Sequence, residues 1–170
     1  IFFRSRMSTY EDLSNVVDVT SLECLNEKPD KNILGIFPPS GSVLESDCDE
    51  QLLMHIAFTT AVKLHSLEFV APNDGRRPSD VKLFANMRVD FSEAEGSPAT
   101  QQCQLEWLPH DSSRMKAVFQ TKFVKFQNVK NISVFIGSNV DDGETTALSS
   151  LTMFGIVLSD MNMSNLKKSG

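Results

Sequence analysis

The residues of this chain best suited to chemistry are three histidines, three cysteines and two knots of carboxylates. His55 and His65 flank Thr60 symmetrically, so a tight hairpin at Thr60 would set the two imidazoles opposite each other. Two ring nitrogens begin a Zn²⁺ site, but such a site takes about four ligands and the sequence supplies no third at a fixed spacing. The plainer reading makes both histidines polar strand positions. His110 stands alone. Glu45-Ser46-Asp47-Cys48-Asp49-Glu50 packs four acids into six residues. Carboxylates that crowded repel one another and turn outward to water, where a basic partner can meet them. Cys48 sits among them, which disfavours a reactive thiolate. Asp141-Asp142-Gly143-Glu144 resembles a cation-binding turn. Ca²⁺ takes about six to eight oxygens, however, and the D-x-D-x-D-G spacing is missing. It reads as a solvated β-turn with Gly143 supplying a positive φ. The sequence has no G-x-S-x-G, no G-x-G-x-x-G and no P-loop. No catalytic set, cofactor or metal is therefore expected, and the chain does not read as an enzyme.

These groups must be positioned by a chain of 170 residues, the length of one domain with a single core. Its 41% hydrophobic and 22% charged residues are the mix of a folded globular protein rather than a disordered one. The net charge is −6, and the only basic doublets are Arg76-Arg77 and Lys167-Lys168. Without a basic stripe, nucleic acid and anionic membrane are poor partners. The cysteines, Cys24, Cys48 and Cys103, are odd in number and form no C-x-x-C. That argues against a disulfide framework or a zinc ribbon and for reduced thiols in the cytoplasm or nucleus. No apolar run approaches the roughly 20 residues of a membrane span. Residues 1–7 read as a start outside the fold, 8–158 as the folded domain and 159–170 as a polar tail.

Local patterning points to strands. Ser8 and Thr9 followed by Glu11-Asp12 predict a short helix, and Ser21–Asn26 a second helical turn with Leu22 and Leu25 inward. Residues 28–42 hold Pro29, Gly35, Pro38, Pro39 and Gly41 and read as loop. From Val43 the period is two: Leu52, Met54, Ile56 and Phe58 share one face, continued by Val62 and Leu64. Leu67, Phe69 and Ala71 then take the opposite parity, so a bulge, a twist or a passage between sheets is expected near His65-Ser66. Pro72-Asn73-Asp74-Gly75 is a turn. Alternation returns in Val81–Ala85, Gln102–Leu108, Ile132–Ile136 and Leu148–Leu158, with loops over Phe91–Thr100 and Pro109–Arg114. Short strands between Gly/Pro/Asn/Asp loops predict an all-β antiparallel sandwich. Alternating phenylalanines suit its interior, and the single Trp107 suits a core or loop anchor.

Several segments together resemble the PITH domain, the module named for proteasome-interacting thioredoxin. They are Ser21–Glu27 (SLECLNE), Leu44–Gln51 (LESDCDEQ), Leu52–Phe58 (LLMHIAF), Val62–Pro72 (VKLHSLEFVAP) and Val81–Asn86 (VKLFAN). Asp90-Phe91-Ser92 with Glu93-Ala94-Glu95, Phe123–Val129 (FVKFQNV) and Glu144-Thr145-Thr146 complete the set. The resemblance spans about Ser21 to Lys167. It implies a jelly-roll sandwich similar to galactose-binding domains, and association with the proteasome regulatory particle rather than catalysis. The W-C-G-P-C motif of the thioredoxin domain that some members carry is absent from these residues. The chain thus reads as a stand-alone or excised PITH module.

Two functions follow as expectations. The first is a protein-interaction module, monomeric and without cofactor. Glu45, Asp47, Asp49 and Glu50 would form its acidic contact surface, and Met161, Met163, Leu166 and Lys167 of the tail a second element. The alternative is a carbohydrate or small-ligand module with a pocket at the sandwich ends, an idea resting on fold analogy.

Overall fold

The computed structural model describes residues 10–39 and 41–158. Its strands are β1 (Glu11–Asp12), β2 (Glu23–Leu25), β3 (Leu44–Glu45), β4 (Leu52–Pro72), β5 (Asp80–Ala85) and β6 (Gln101–Gln104). After these come β7 (Leu108–Pro109), β8 (Arg114–Gln120), β9 (Val129–Ile136), β10 (Ala147–Leu148) and β11 (Ser150–Val157). One α-helix, α1 (Phe91–Gly96), is found among the described residues. Every strand pairing is antiparallel.

β4 organises the sandwich. Its first part, from Leu52 to Ala57, lies between β2 and β9, and the order continues to β5 and β6. Its second part, from Val62 onward, lies between β11 and β8, with β1 and β7 outside them. One strand thus belongs to both layers. The pairing with β9 shifts register between Ala57 and Val62, where the strand leaves one layer for the other.

The core follows the sequence parity. Leu52, Met54, Ile56, Phe58, Val62 and Leu64 are buried with Leu67, Phe69 and Ala71 in one cluster. The switch of parity is a β-bulge. Ser66 pairs with Phe154 and Leu64 with Gly155, so His65 has no opposite residue and everything beyond it changes face. Phe69, Phe84, Phe119 and Phe126 are completely buried, each contributing roughly 2–3 kcal/mol of hydrophobic stabilisation.

Several sequence expectations are corrected. Residues 11–12 are a strand, followed by a 3-10 turn over Leu13–Val16 capped by Asp12. Ser21–Asn26 holds β2 in place of a helical turn. Cys24 is its buried residue, while Leu22 and Leu25 are only half-buried. Phe91–Thr100 contains α1, which a capping box starts: Asp90 accepts from Glu93 N–H, and Glu93 accepts from Asp90 N–H. Lys82 Nζ donates to the carbonyls of Ala94 and Glu95 at its other end. Ala94 joins Leu53, Phe84, Val89 and Phe135 in a small cluster on the outer side of the first layer. In the 141–144 turn the positive φ belongs to Asp142 (54°), and no glycine among the described residues has one. His55 and His65 share one continuous strand, so they do not face each other.

Candidate functional site

The acidic segment is a pinned loop with a free tip. Asn26 has φ 71°, a conformation that asparagine tolerates. It turns its side chain into the loop. Its Nδ2 donates to Asp49 Oδ1 (2.8 Å) and to the Gln51 carbonyl (2.7 Å), and its Oδ1 accepts from Cys48 N–H (3.0 Å). From the opposite side, Thr146 Oγ1 donates to the Glu50 carbonyl at 2.7 Å and Thr146 N–H to Ser46 Oγ at 2.9 Å. The buried Asn139 steadies Thr146 through Nδ2, which also donates to the carbonyls of Gly143 and Thr145. Satisfying every buried polar group in this way fixes the loop in one conformation.

Glu45 does not belong to an acidic contact surface. It is only 6% exposed and is held by Lys28 Nζ (2.8 Å), Lys31 Nζ (3.0 Å) and Arg76 Nη1 (3.1 Å). The Lys28 hydrogen bond leads in holding its carboxyl below the usual glutamate range, against the opposing effect of burial. Crowded acids turn outward only where no cations meet them, and here three cations from distant segments do. Asp47 and Asp49 are exposed and Glu50 half-exposed. Asp49 spends Oδ1 on Asn26 and the Gln51 N–H, keeping Oδ2 free. Met161, Met163, Leu166 and Lys167 lie outside the described residues.

The histidines divide in the same manner. His65, at the bulge, stacks on Tyr10 with centroids 3.9 Å apart and meets the edge of Phe123. Gln120 and Ser66 lie within hydrogen-bond reach of its two ring nitrogens. His55 lies on the outer face of the first layer, aligned with Glu23 on β2 and Ser133 on β9. It is 6% exposed and lines a cavity of about 380 Å³ with Asn86, Arg88, Asn131 and Ser133. Sequence reasoning missed this cavity, because no local signal records that the register brings β4 and β9 together under the 86–88 turn. Among the described residues no three His, Cys, Asp or Glu side chains converge at metal-binding distance. Trp107 donates Nε1–H to the Pro78 carbonyl at 2.8 Å and packs against the core as a loop anchor.

Comparison with known proteins places these features. The family model described as "PITH domain" matches residues 4–170. The chain belongs to the PITH domain family. Thioredoxin-like protein 1 of Schizosaccharomyces pombe is 34% identical over 165 residues, 94% of this chain and 56% of that protein. PITH domain-containing protein 1 of Homo sapiens is 32% identical over 130 residues, 72% of this chain and 59% of that protein. The chain thus spans less than two thirds of the length of both relatives. Among solved structures, CBM32-3 from a Clostridium perfringens family 31 glycoside hydrolase superposes with TM-score 0.61 at 9% identity, covering 89% of this chain and 97% of that one. The family 32 CBM of Clostridium perfringens NanJ, in complex with galactose, gives 0.59 at 6% identity, covering 85% and 98%. At such identities the likeness is one of fold: this PITH domain is a jelly-roll sandwich of the galactose-binding-like type.

Proposed function

We propose that this PITH domain is a non-catalytic protein-binding module that docks on the proteasome regulatory particle through Asp47, Asp49 and Glu50. The observation that carries the reading is the pinned loop. Its inward groups, Glu45, Ser46 and the backbone of Cys48 and Glu50, are all engaged. The Asp47 and Glu50 side chains make no hydrogen bond or ion pair among the described residues. A tip already fixed loses little conformational entropy on docking, so its charge goes into affinity and association rate. The family resemblance supplies the partner, which would place the domain in the cytoplasm and nucleus.

The test is binding of the purified domain to purified regulatory particle and to purified core particle, at low and at physiological salt. The wild-type domain binds the regulatory particle alone and weakens as salt rises, since exposed charges are screened over roughly 8–10 Å. Asp47→Lys with Glu50→Lys, at the two side chains that hold nothing in the loop, weakens binding at least about tenfold while leaving the thermal midpoint within a few degrees. Equal binding by the charge-reversed domain, or none by the wild type, rejects the reading.

A further inference from the structure

The cavity on the outer face of the first layer is built by register. His55 pairs with Ser133, and Ala57 with Asn131, so these positions of β4 and β9 form its floor. Its wall is the turn after β5. Asn86, at φ 59°, donates Nδ2–H to the Asn128 carbonyl at 2.9 Å and accepts from Lys130 N–H at 2.8 Å. That clamps the turn to the start of β9 and sets Arg88 over the floor.

The hydrogen-bond inventory then fixes the chemistry. Ser133 Oγ donates to the Met87 carbonyl at 2.7 Å, which uses its only proton. The 3.0 Å contact between Ser133 Oγ and His55 Nδ1 therefore runs from the ring to the hydroxyl. The proton sits on Nδ1, and Nε2 carries a lone pair that no group among the described residues engages. Burial first, and Arg88 second, lower the His55 pKa against the opposing pull of Glu23, which keeps the ring neutral at pH 7. Arg88 gives Nη2 to Glu23 and retains Nε and Nη1. The side-chain amide of Asn131 has no partner among the described residues. The cavity thus offers one open acceptor on a buried ring, several donors and a formal charge cancelled between Arg88 and Glu23.

We propose that this cavity binds a small neutral polyhydroxyl compound, with hydroxyls bridging His55 Nε2, Asn131 and Arg88. A hydroxyl can donate to Nε2 and accept from Arg88 or Asn131 through one oxygen, whereas an amide needs two separate atoms. A carboxylate would oppose its own charge to the Nε2 lone pair and compete with Glu23 for Arg88. About 380 Å³ lies within the range of small-ligand pockets, roughly 300–1,000 Å³. Ala57 lines the cavity alongside and can receive ring carbons. The inference is independent of proteasome docking, since it uses none of Asp47, Asp49 and Glu50.

The experiment is NMR titration of the ¹⁵N-labelled domain with four probes: D-galactose, myo-inositol, sodium acetate and acetamide. Imidazole nitrogens and side-chain amides are the reporters. The free domain should show His55 protonated on Nδ1. Galactose or myo-inositol should shift His55 Nε2 and the Asn131 amide saturably at millimolar concentration. Arg88→Met, at an exposed side chain, and Asn131→Leu should each weaken that response about tenfold, the loss expected for one ligand hydrogen bond. Their thermal midpoints show whether each variant is folded, and Arg88→Met keeps the test decisive if Asn131→Leu is not. The proposal fails if neither polyol shifts these signals, if acetate or acetamide shifts them as strongly, or if free His55 carries its proton on Nε2.

Discussion

Ser46 and Thr146 exchange two hydrogen bonds of 2.9 Å although 100 positions separate them in the chain. Ser46 N–H donates to the Thr146 carbonyl, and Thr146 N–H donates to Ser46 Oγ. Both residues are completely buried. Ser46→Ala would leave the Thr146 N–H buried without an acceptor, at a cost of about 1–3 kcal/mol. Thr146→Val would remove the donor to Glu50 and an acceptor for Asn139, with a loss of the same order. Urea denaturation should show both as lower midpoints with an unchanged slope. The double variant should cost less than the sum, because the two residues serve one network.

Acid should loosen the same region through Glu45. Its folded-state pKa lies below the ordinary 4.5, because Lys28 hydrogen-bonds the ionised carboxylate. The resulting stability is fully present above about pH 4.5 and is lost as pH falls through the lower folded value. Asp74 behaves alike through its Arg76 hydrogen bond. The unfolding free energy should hold level from pH 7 to about 5 as far as these groups decide it, then decline. In Glu45→Gln, which cannot ionise, the decline should be shallower and the stability at pH 7 lower. An unchanged slope below pH 4.5 would remove Glu45 from the account.

What the sequence discloses and what it conceals differ by range. Alternation at Leu52, Met54, Ile56 and Phe58 reports β4, and the break at His65-Ser66 reports the bulge, because both are properties of a few neighbouring residues. The six residues of α1 are too few to establish a period, and Gly96 and Pro98 look like loop; the Asp90–Glu93 capping box was the available signal. Leu22 and Leu25 mimic a helical spacing, yet pairing with β4 holds Glu23–Leu25 extended. Glu45 was misplaced because its partners come from positions 28, 31 and 76. The His55 cavity was invisible because register assembles it from strands 78 positions apart.

The thiols should separate by burial. Cys24 is buried, and loss of solvation pushes its thiol far above the ordinary value, reinforced by Glu27. Cys103 is half-buried and raised in the same direction by burial. Cys48 is exposed on the loop tip. A short exposure to iodoacetamide at pH 8, followed by peptide mass spectrometry, should modify Cys48 first and Cys103 more slowly. Cys24 should react only after denaturation. Modification of Cys24 in the native domain at a rate near that of Cys48 would contradict the burial of β2.

The bulge that turns β4 also explains Gly155. Register slips between Phe154 and Gly155 on β11 as it slips past His65 on β4, bringing the two backbones together at that point. A Cβ on Gly155 would lie 1.8 Å from the Lys63 carbonyl oxygen and 2.9 Å from its carbon. Its φ is not positive, so the requirement is one of space rather than of conformation. The obstacle is backbone inside the sheet, which cannot swing aside as a side chain does. Gly155→Ala should therefore force β4 and β11 apart and destabilise the domain by about 1–3 kcal/mol or more. Gly96→Ala serves as the control: nothing lies within 4 Å of its added Cβ, and alanine is the better helix former by about 1 kcal/mol. Thermal unfolding should show Gly155→Ala several degrees below wild type and Gly96→Ala at or above it. Matching midpoints for the two variants would mean that β4 and β11 do not approach so closely at the bulge.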